Sequence, residues 1–263
     1  MKVQSRAGKK RQKSKDDNTR PTKVTWGGTL KSFCDGGKAQ PTLNYLIAKD
    51  AEGLCLPDDE REYLQDHRTA TTCGSMDLNP YEELLSAVIL SRRVSHRLGL
   101  RTFCYAKTRY TEKTAYEVGE IVNVILEKYP GEGNEDGSGL GRLLNQSKSN
   151  IDELLNTLKT NIKGFDNTTK DISHRRVQCL WDDAYPYIDK KAGEDLKALG
   201  LLNHAGELEE AISSNWKHLE TKAPSGDHEP AKKRTAFMTI LESAIDAELE
   251  GKLKEVIIAA ASA

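Results

Sequence analysis

No run of apolar residues in this chain approaches the roughly eighteen that a membrane-spanning helix needs, and no apolar stretch follows the basic N-terminus as it would in a secretion signal. A soluble, intracellular protein is therefore expected. The cysteines Cys34, Cys55, Cys73, Cys104 and Cys179 are odd in number and scattered, without the paired spacing that builds zinc or redox centres, so they read as reduced, ordinary thiols. No alternating strand pattern of any length occurs between residues 76 and 263, which leaves an all-α fold of about eight to ten helices in two lobes. The glycine-rich run 131–141 lacks a Gly-Lys-Ser/Thr ending, a preceding strand and the acidic twelfth position of a calcium loop. It reads as a flexible linker, and as a candidate passage between the two lobes.

The 263 residues are 37% apolar, enough for one real core, and 30% charged, with a net charge of −1 that conceals an uneven distribution. Met1 to Val24 carries nine Lys/Arg against two Asp and almost nothing apolar. Such a segment cannot offset the entropy of folding, so residues 1–24 are expected to be a disordered basic tail. Its Lys9-Lys10-Arg11-Gln12-Lys13 cluster suits a nuclear localisation signal or a nucleic-acid arm as well as it suits plain solubility. Residues 25–75 contain short apolar segments to which no role can be assigned.

Helices are clearest where caps and apolar spacing agree. Asn79 is a suitable N-cap, Pro80 fits the first helical position, Glu82 and Glu83 suit the positive end of the dipole, and Leu84, Leu85, Val88 and Ile89 form a core stripe. Beyond it, Arg92, Arg93, His96, Arg97, Arg101, Lys107, Arg109 and Lys113 are the main basic concentration inside the folded part. They read equally as a phosphate-contacting surface or as a solvated face with acidic neighbours. Residues 112–129 carry a further core stripe, as do Leu208, Ile212, Trp216 and Leu219, and Phe237, Ile240, Leu241, Ile245 and Leu249. The end of the chain, residues 251–263, is expected to fray.

The stretch 154–189 carries the functional argument. Leu154, Leu155 and Leu158 share a helical face, Asn161 to Asp166 is too short for anything but a tight turn around Gly164, and a second helix starts at Asp166, Asn167 or Thr168. This is a helix-hairpin-helix, whose glycine permits close backbone approach and whose second helix offers unpaired amides to a phosphate. In the second helix His174 reads as exposed among arginines, with approach to a substrate phosphate as the other option. Trp181, Tyr185 and Tyr187 read as core packing, with stacking on a base as the other option. Asp189 stands before a helix beginning at Lys190, where an Asp is a favoured N-cap.

Ile162 to Thr168, followed by the step Tyr187-Ile188-Asp189, resembles the helix-hairpin-helix, glycosylase-type superfamily of base-excision DNA repair proteins, of which endonuclease-III-like glycosylases are the best known. Asn79 to Ser91 is similar to that family's early helix, and the resemblance covers roughly residues 76–250. It implies DNA binding through Gly164, Phe165, Asn167, Thr168 and Thr169, with Arg92, Arg93 and Arg97 alongside, and a catalytic Asp189. Three positions depart from the family pattern. Asp166 stands at the second glycine, Thr168 replaces the nucleophilic Lys of lyase-active members, and Arg93 lies near a base-replacing Gln. No Cys follows Cys179, so the iron–sulfur loop of some members is absent and no cofactor is expected.

The resemblance implies a monofunctional glycosylase without lyase chemistry at Thr168, acting on damaged duplex DNA in the nucleus as a monomer. A catalytically inactive DNA-binding module of the same fold is the alternative, with a helical adaptor unrelated to DNA as a further one.

Overall fold

The computed structural model describes residues 39–66, 78–91, 111–128, 138–147, 150–201, 204–219 and 228–263, all within the unit Phe33–Ala263. Every regular element among them is helical. In chain order these are α1 (Ala39–Leu46), α2 (Glu52–Cys55), α3 (Asp58–Asp66), α4 (Pro80–Leu90), α5 (Thr111–Lys128), α6 (Ser138–Gln146), α7 (Ile151–Asn161), α8 (Asn167–Val177), α9 (Lys190–Ala198), α10 (Ala205–Ser214), α11 (Trp216–Leu219), α12 (Glu229–Leu249) and α13 (Leu253–Ser262). None of the described helices is long and apolar enough to cross a membrane. The tail 1–24 and the arginines Arg92, Arg93 and Arg97 lie outside the described residues.

α4 starts where its cap residues dictate. Asn79 Oδ1 accepts from the amides of Tyr81 and Glu82, and Glu82 Oε2 accepts from the Asn79 amide at 2.9 Å, a reciprocal capping box with Pro80 at the first position. Leu84 and Val88 then pack with Ile121 and Ile125 of α5, Leu140, Leu143 and Leu144 of α6, Leu154, Leu155 and Leu158 of α7 and Val177 of α8. α6 corrects one expectation, because Ser138 to Gly141 were assigned to the linker and instead open a helix. Leu140, Leu143 and Leu144 recur at helical spacing and are buried, and that burial outweighs the helix-weakening glycines.

A second core is built from both ends of the described chain. Leu43 and Leu46 of α1 meet Leu196 of α9, Leu208 and Ile212 of α10, Trp216 and Leu219 of α11, and Phe237, Ile240 and Leu241 of α12. The chain therefore passes between cores after Ala184 and before Ala192, and the segment 131–141 is flanked on both sides by helices of one core. The predicted stripe from Leu208 to Leu219 is buried throughout, although Asn215 divides it into two helices.

The C-terminal segment also differs from expectation, forming α13 with Val256 and Ala260 buried against α1. α12 ends in a Schellman turn. Gly251 takes φ 71°, its amide bonds to Glu248 O at 2.9 Å, and the Lys252 amide bonds to Ala247 O at 2.7 Å. That reversal sends α13 back along the core, and burial of its apolar side holds it there. Residues 39–56, left without a role by the sequence, supply part of the same core through Leu43, Leu46, Ala51 and Cys55.

Candidate functional site

The predicted hairpin is present between α7 and α8. Lys159 Nζ donates to Asn167 Oδ1 at 2.6 Å, and Lys170 Nζ reaches Asn156 Oδ1 at 3.1 Å and Asp152 Oδ1 at 2.8 Å. Because earlier residues of one helix meet later residues of the other, the two run antiparallel. Gly164 takes φ 87° in the turn, a conformation that a side chain would strain. Asp166 is the N-cap of α8, its Oδ1 accepting from the Thr169 amide at 2.9 Å and from Thr169 Oγ1 at 3.0 Å. The protein's own carboxylate thus occupies part of the amide terminus at which a phosphate was expected.

The hairpin residues assigned to DNA divide by exposure. Gly164, Asn167 and Thr168 are exposed, whereas Phe165 (3% exposed) belongs to the first core and Thr169 (0%) donates to Ser91 Oγ at 2.7 Å, tying the start of α8 to the end of α4. The side chains of Phe165 and Thr169 therefore do not reach the surface. Thr168 does, and it borders a cleft of about 550 Å³ lined also by Leu90, Asp171, Ile172 and Arg175, by Asp189 to Lys191 and Glu194, and by Glu242, Ile245 and Leu249. The two positions that the resemblance assigns to reacting groups, Thr168 and Asp189, share this cleft.

Asp189 is held from several sides. Its Oδ1 accepts from the amides of Lys191 and Ala192 at 2.8 and 3.0 Å, the N-cap role open to it from sequence, and its Oδ2 accepts from Arg175 Nη1. Arg175 Nε donates to Glu242 Oε1 at 2.7 Å, and Arg176 Nη1 reaches Glu242 Oε2 at 3.3 Å. Arg176 Nε donates in turn to Glu83 Oε2 on α4. Asp189, Arg175, Arg176 and Glu83 are buried, and Glu242 is half-buried. Burial alone would lower Arg175, but Glu242 and Asp189 together raise it above the ordinary arginine value. Burial pushes Glu83 up to about 7 despite Arg176 beside it.

His174, expected to be exposed, is 7% exposed and lies flat on Tyr187, with ring centroids 3.7 Å apart. Burial lowers its pKa below the usual histidine value. Tyr185 packs edge-on against Phe237 at 5.1 Å, and half-buried Trp181 sits against the first core. Cys55 and Cys179 are free and buried, each pushed up to about 12 by burial. No group of three His, Cys, Asp or Glu suited to a metal occurs among the described residues.

Sequence reasoning placed Glu83 only at the helix dipole and missed Glu242 altogether. A signal existed in their register: Glu83 lies one turn before buried Ala87, and Glu242 one turn after buried Met238 and next to buried Leu241. Both fall on core faces, where an acid needs a cationic partner.

Chemically, an ionised carboxylate offers about four acceptor positions. At Asp189 two amides and a guanidinium take three, leaving the group better suited to stabilising a neighbouring positive charge than to abstracting a proton. Comparison of the chain with protein-family models, with curated proteins and with solved structures found no match.

Proposed function

We propose that the chain is a DNA-binding helical module of the glycosylase type, in which the cleft beside Asp189 receives a base turned out of a duplex. The observation that carries this reading is the shared cleft of Thr168 and Asp189, bounded by the first turn of the hairpin's second helix and of a size common for small-ligand sites. Its walls combine apolar surface from Leu90, Ile172, Ile245 and Leu249 with the charge of Asp189. In this reading the bond from sugar C1′ to the base breaks, Asp189 steadies the cationic sugar, water adds at C1′ with its proton passing to the departed base, and Thr168 supplies no amine for a covalent intermediate. Duplex DNA is the partner, and the basic Lys9 to Lys13 cluster suits a nuclear protein.

A binding module without chemistry is the second reading. It draws on two observations: Asp189 already has three donors, and Asp166 caps the helix terminus otherwise available to a phosphate.

The two are separated by measuring base release from duplexes carrying alkylated, oxidised or deaminated bases, with binding to an uncleavable abasic duplex measured in parallel at low and high salt. The glycosylase reading expects release by the wild type, none by a folded Asp189→Asn variant, and binding that weakens steeply with salt. Binding without release on any duplex sinks the enzyme and leaves the module. Absence of binding even at low salt removes both.

A further inference from the structure

The buried charges form one continuous chain, Glu83 to Arg176 to Glu242 to Arg175 to Asp189, running from the core face of α4 through α8 and α12 to the cap of α9 and the cleft wall. Its α4 end is unusual. Glu83 is 0% exposed, and while Oε2 accepts from Arg176, Oε1 has no hydrogen-bond partner among the described residues and no contact with solvent. A carboxylate oxygen enclosed in that way is unfavourable, and a proton on Oε1 relieves it while leaving Oε2 to accept from Arg176.

Burial favours this exchange, Arg176 opposes it, and the neighbouring carboxylates side with burial. Arg176 of α8 is the cation in contact. Glu242 of α12 and Glu82 on its own helix oppose its ionisation, and Cys179, after α8, is a buried thiol. α5 and α6 pack the same core with apolar Ile121, Ile125, Leu140 and Leu144, and the single charged residue of α6 is half-buried Arg142.

We infer that Glu83 is a proton-binding site whose charge is transmitted along this chain to the cleft. Ionised Glu83 draws Arg176 toward itself and away from Glu242. Glu242 then leans on Arg175, and Arg175 loosens its hold on Asp189. Protonated Glu83 reverses each step, so that Asp189 is gripped more firmly at lower pH. Alternating charges along a largely buried path carry such a displacement because Arg176, Glu242 and Arg175 each divide between two charged partners among the described residues. The midpoint lies near neutrality, since burial sets Glu83 at about 7.

The test is a carboxyl and guanidinium NMR titration of the full chain between about pH 5 and 9, spanning that midpoint. The Glu83 Cδ signal should titrate with a midpoint within about one pH unit of the value burial sets. The Asp189 Cγ and Arg175 Nε signals should shift with the same midpoint, and in Glu83→Gln those two remote shifts should vanish. A Glu83 signal with no inflection in the range overturns the inference. So do Asp189 and Arg175 signals that ignore the Glu83 midpoint, or that keep it in the Gln variant. The wild-type titration decides the matter alone if Glu83→Gln fails to fold.

Discussion

His174 and Tyr187 lie ring on ring, with planes 5° from parallel. The same tyrosine donates from its hydroxyl to Asp171 Oδ1 at 3.1 Å, and its backbone exchanges two hydrogen bonds with the Gln178 side chain at 3.1 and 3.0 Å. The segment leading into Asp189 is thereby fixed to α8. Tyr187→Phe keeps the stack and loses one hydrogen bond, for an expected cost of about 1 kcal/mol. Tyr187→Ala removes the ring as well and should cost about 2 to 3 kcal/mol for a half-buried aromatic. Urea denaturation of the two variants checks the order.

The titrations of His174 and Glu83 give opposite slopes of stability with pH. Burial lowers His174, so its contribution is present above the unfolded value of 6.5 and is lost as pH falls through the folded value, because the unfolded chain takes the proton first. Glu83 is raised from 4.5 to about 7, so its protonated folded form is favoured below the unfolded value and that advantage is lost as pH rises toward 7. Its full span is on the order of 3 kcal/mol. His174→Phe, which keeps a ring for Tyr187, should flatten the acid-side loss. Glu83→Gln should remove the decline between about pH 5 and 7. Denaturation midpoints measured across pH for wild type and both variants test this, and curves parallel to wild type would contradict it.

As an N-cap alone, the role open to it from sequence, Asp189 would be replaceable by Asn, which caps about as well. The structure changes that expectation, because Arg175 is buried against the carboxylate. Asp189→Asn should cost about 3 kcal/mol through the weakened buried pair, and Asp189→Ala about 1 kcal/mol more through loss of the cap. Equal stability of wild type and Asn variant in thermal melts would show that Arg175 finds sufficient compensation elsewhere.

α13 permits a matched pair of substitutions two residues apart. Val256 is 0% exposed and Ile258 is 66% exposed. Val256→Asp should cost about 3 kcal/mol or more by burying a charge, and Ile258→Asp should stay within about 0.5 kcal/mol of wild type. Similar, small effects at both positions would mean that the helix end is not held.

Features encoded locally were legible in the sequence. The cap at Asn79, the turn at Gly164 and the stripe from Leu208 to Leu219 all rest on neighbours within a turn or two. The ion chain was not, because Arg176 and Glu83 are 93 positions apart, Arg175 and Glu242 67, and such residues look solvent-facing until the fold brings them together. α8 shows the difficulty most sharply: Ser173, His174, Arg175 and Arg176 are consecutive polar residues and all are buried. The C-terminal helix escaped notice for a related reason, since its apolar side becomes meaningful only against α1.

The bond from Ser243 Oγ to Leu46 O spans 197 positions and closes a core whose first helix leaves the ribosome long before α12 and α13. The core around α4 to α8 draws on a much shorter stretch of chain and can assemble while synthesis continues. α1, with Leu43, Tyr45, Leu46 and Ile47 buried only in the finished fold, must keep an apolar face exposed until then. Loop closure over that distance is slow, and the waiting helix is the part of the nascent chain most exposed to misassembly or in need of a chaperone.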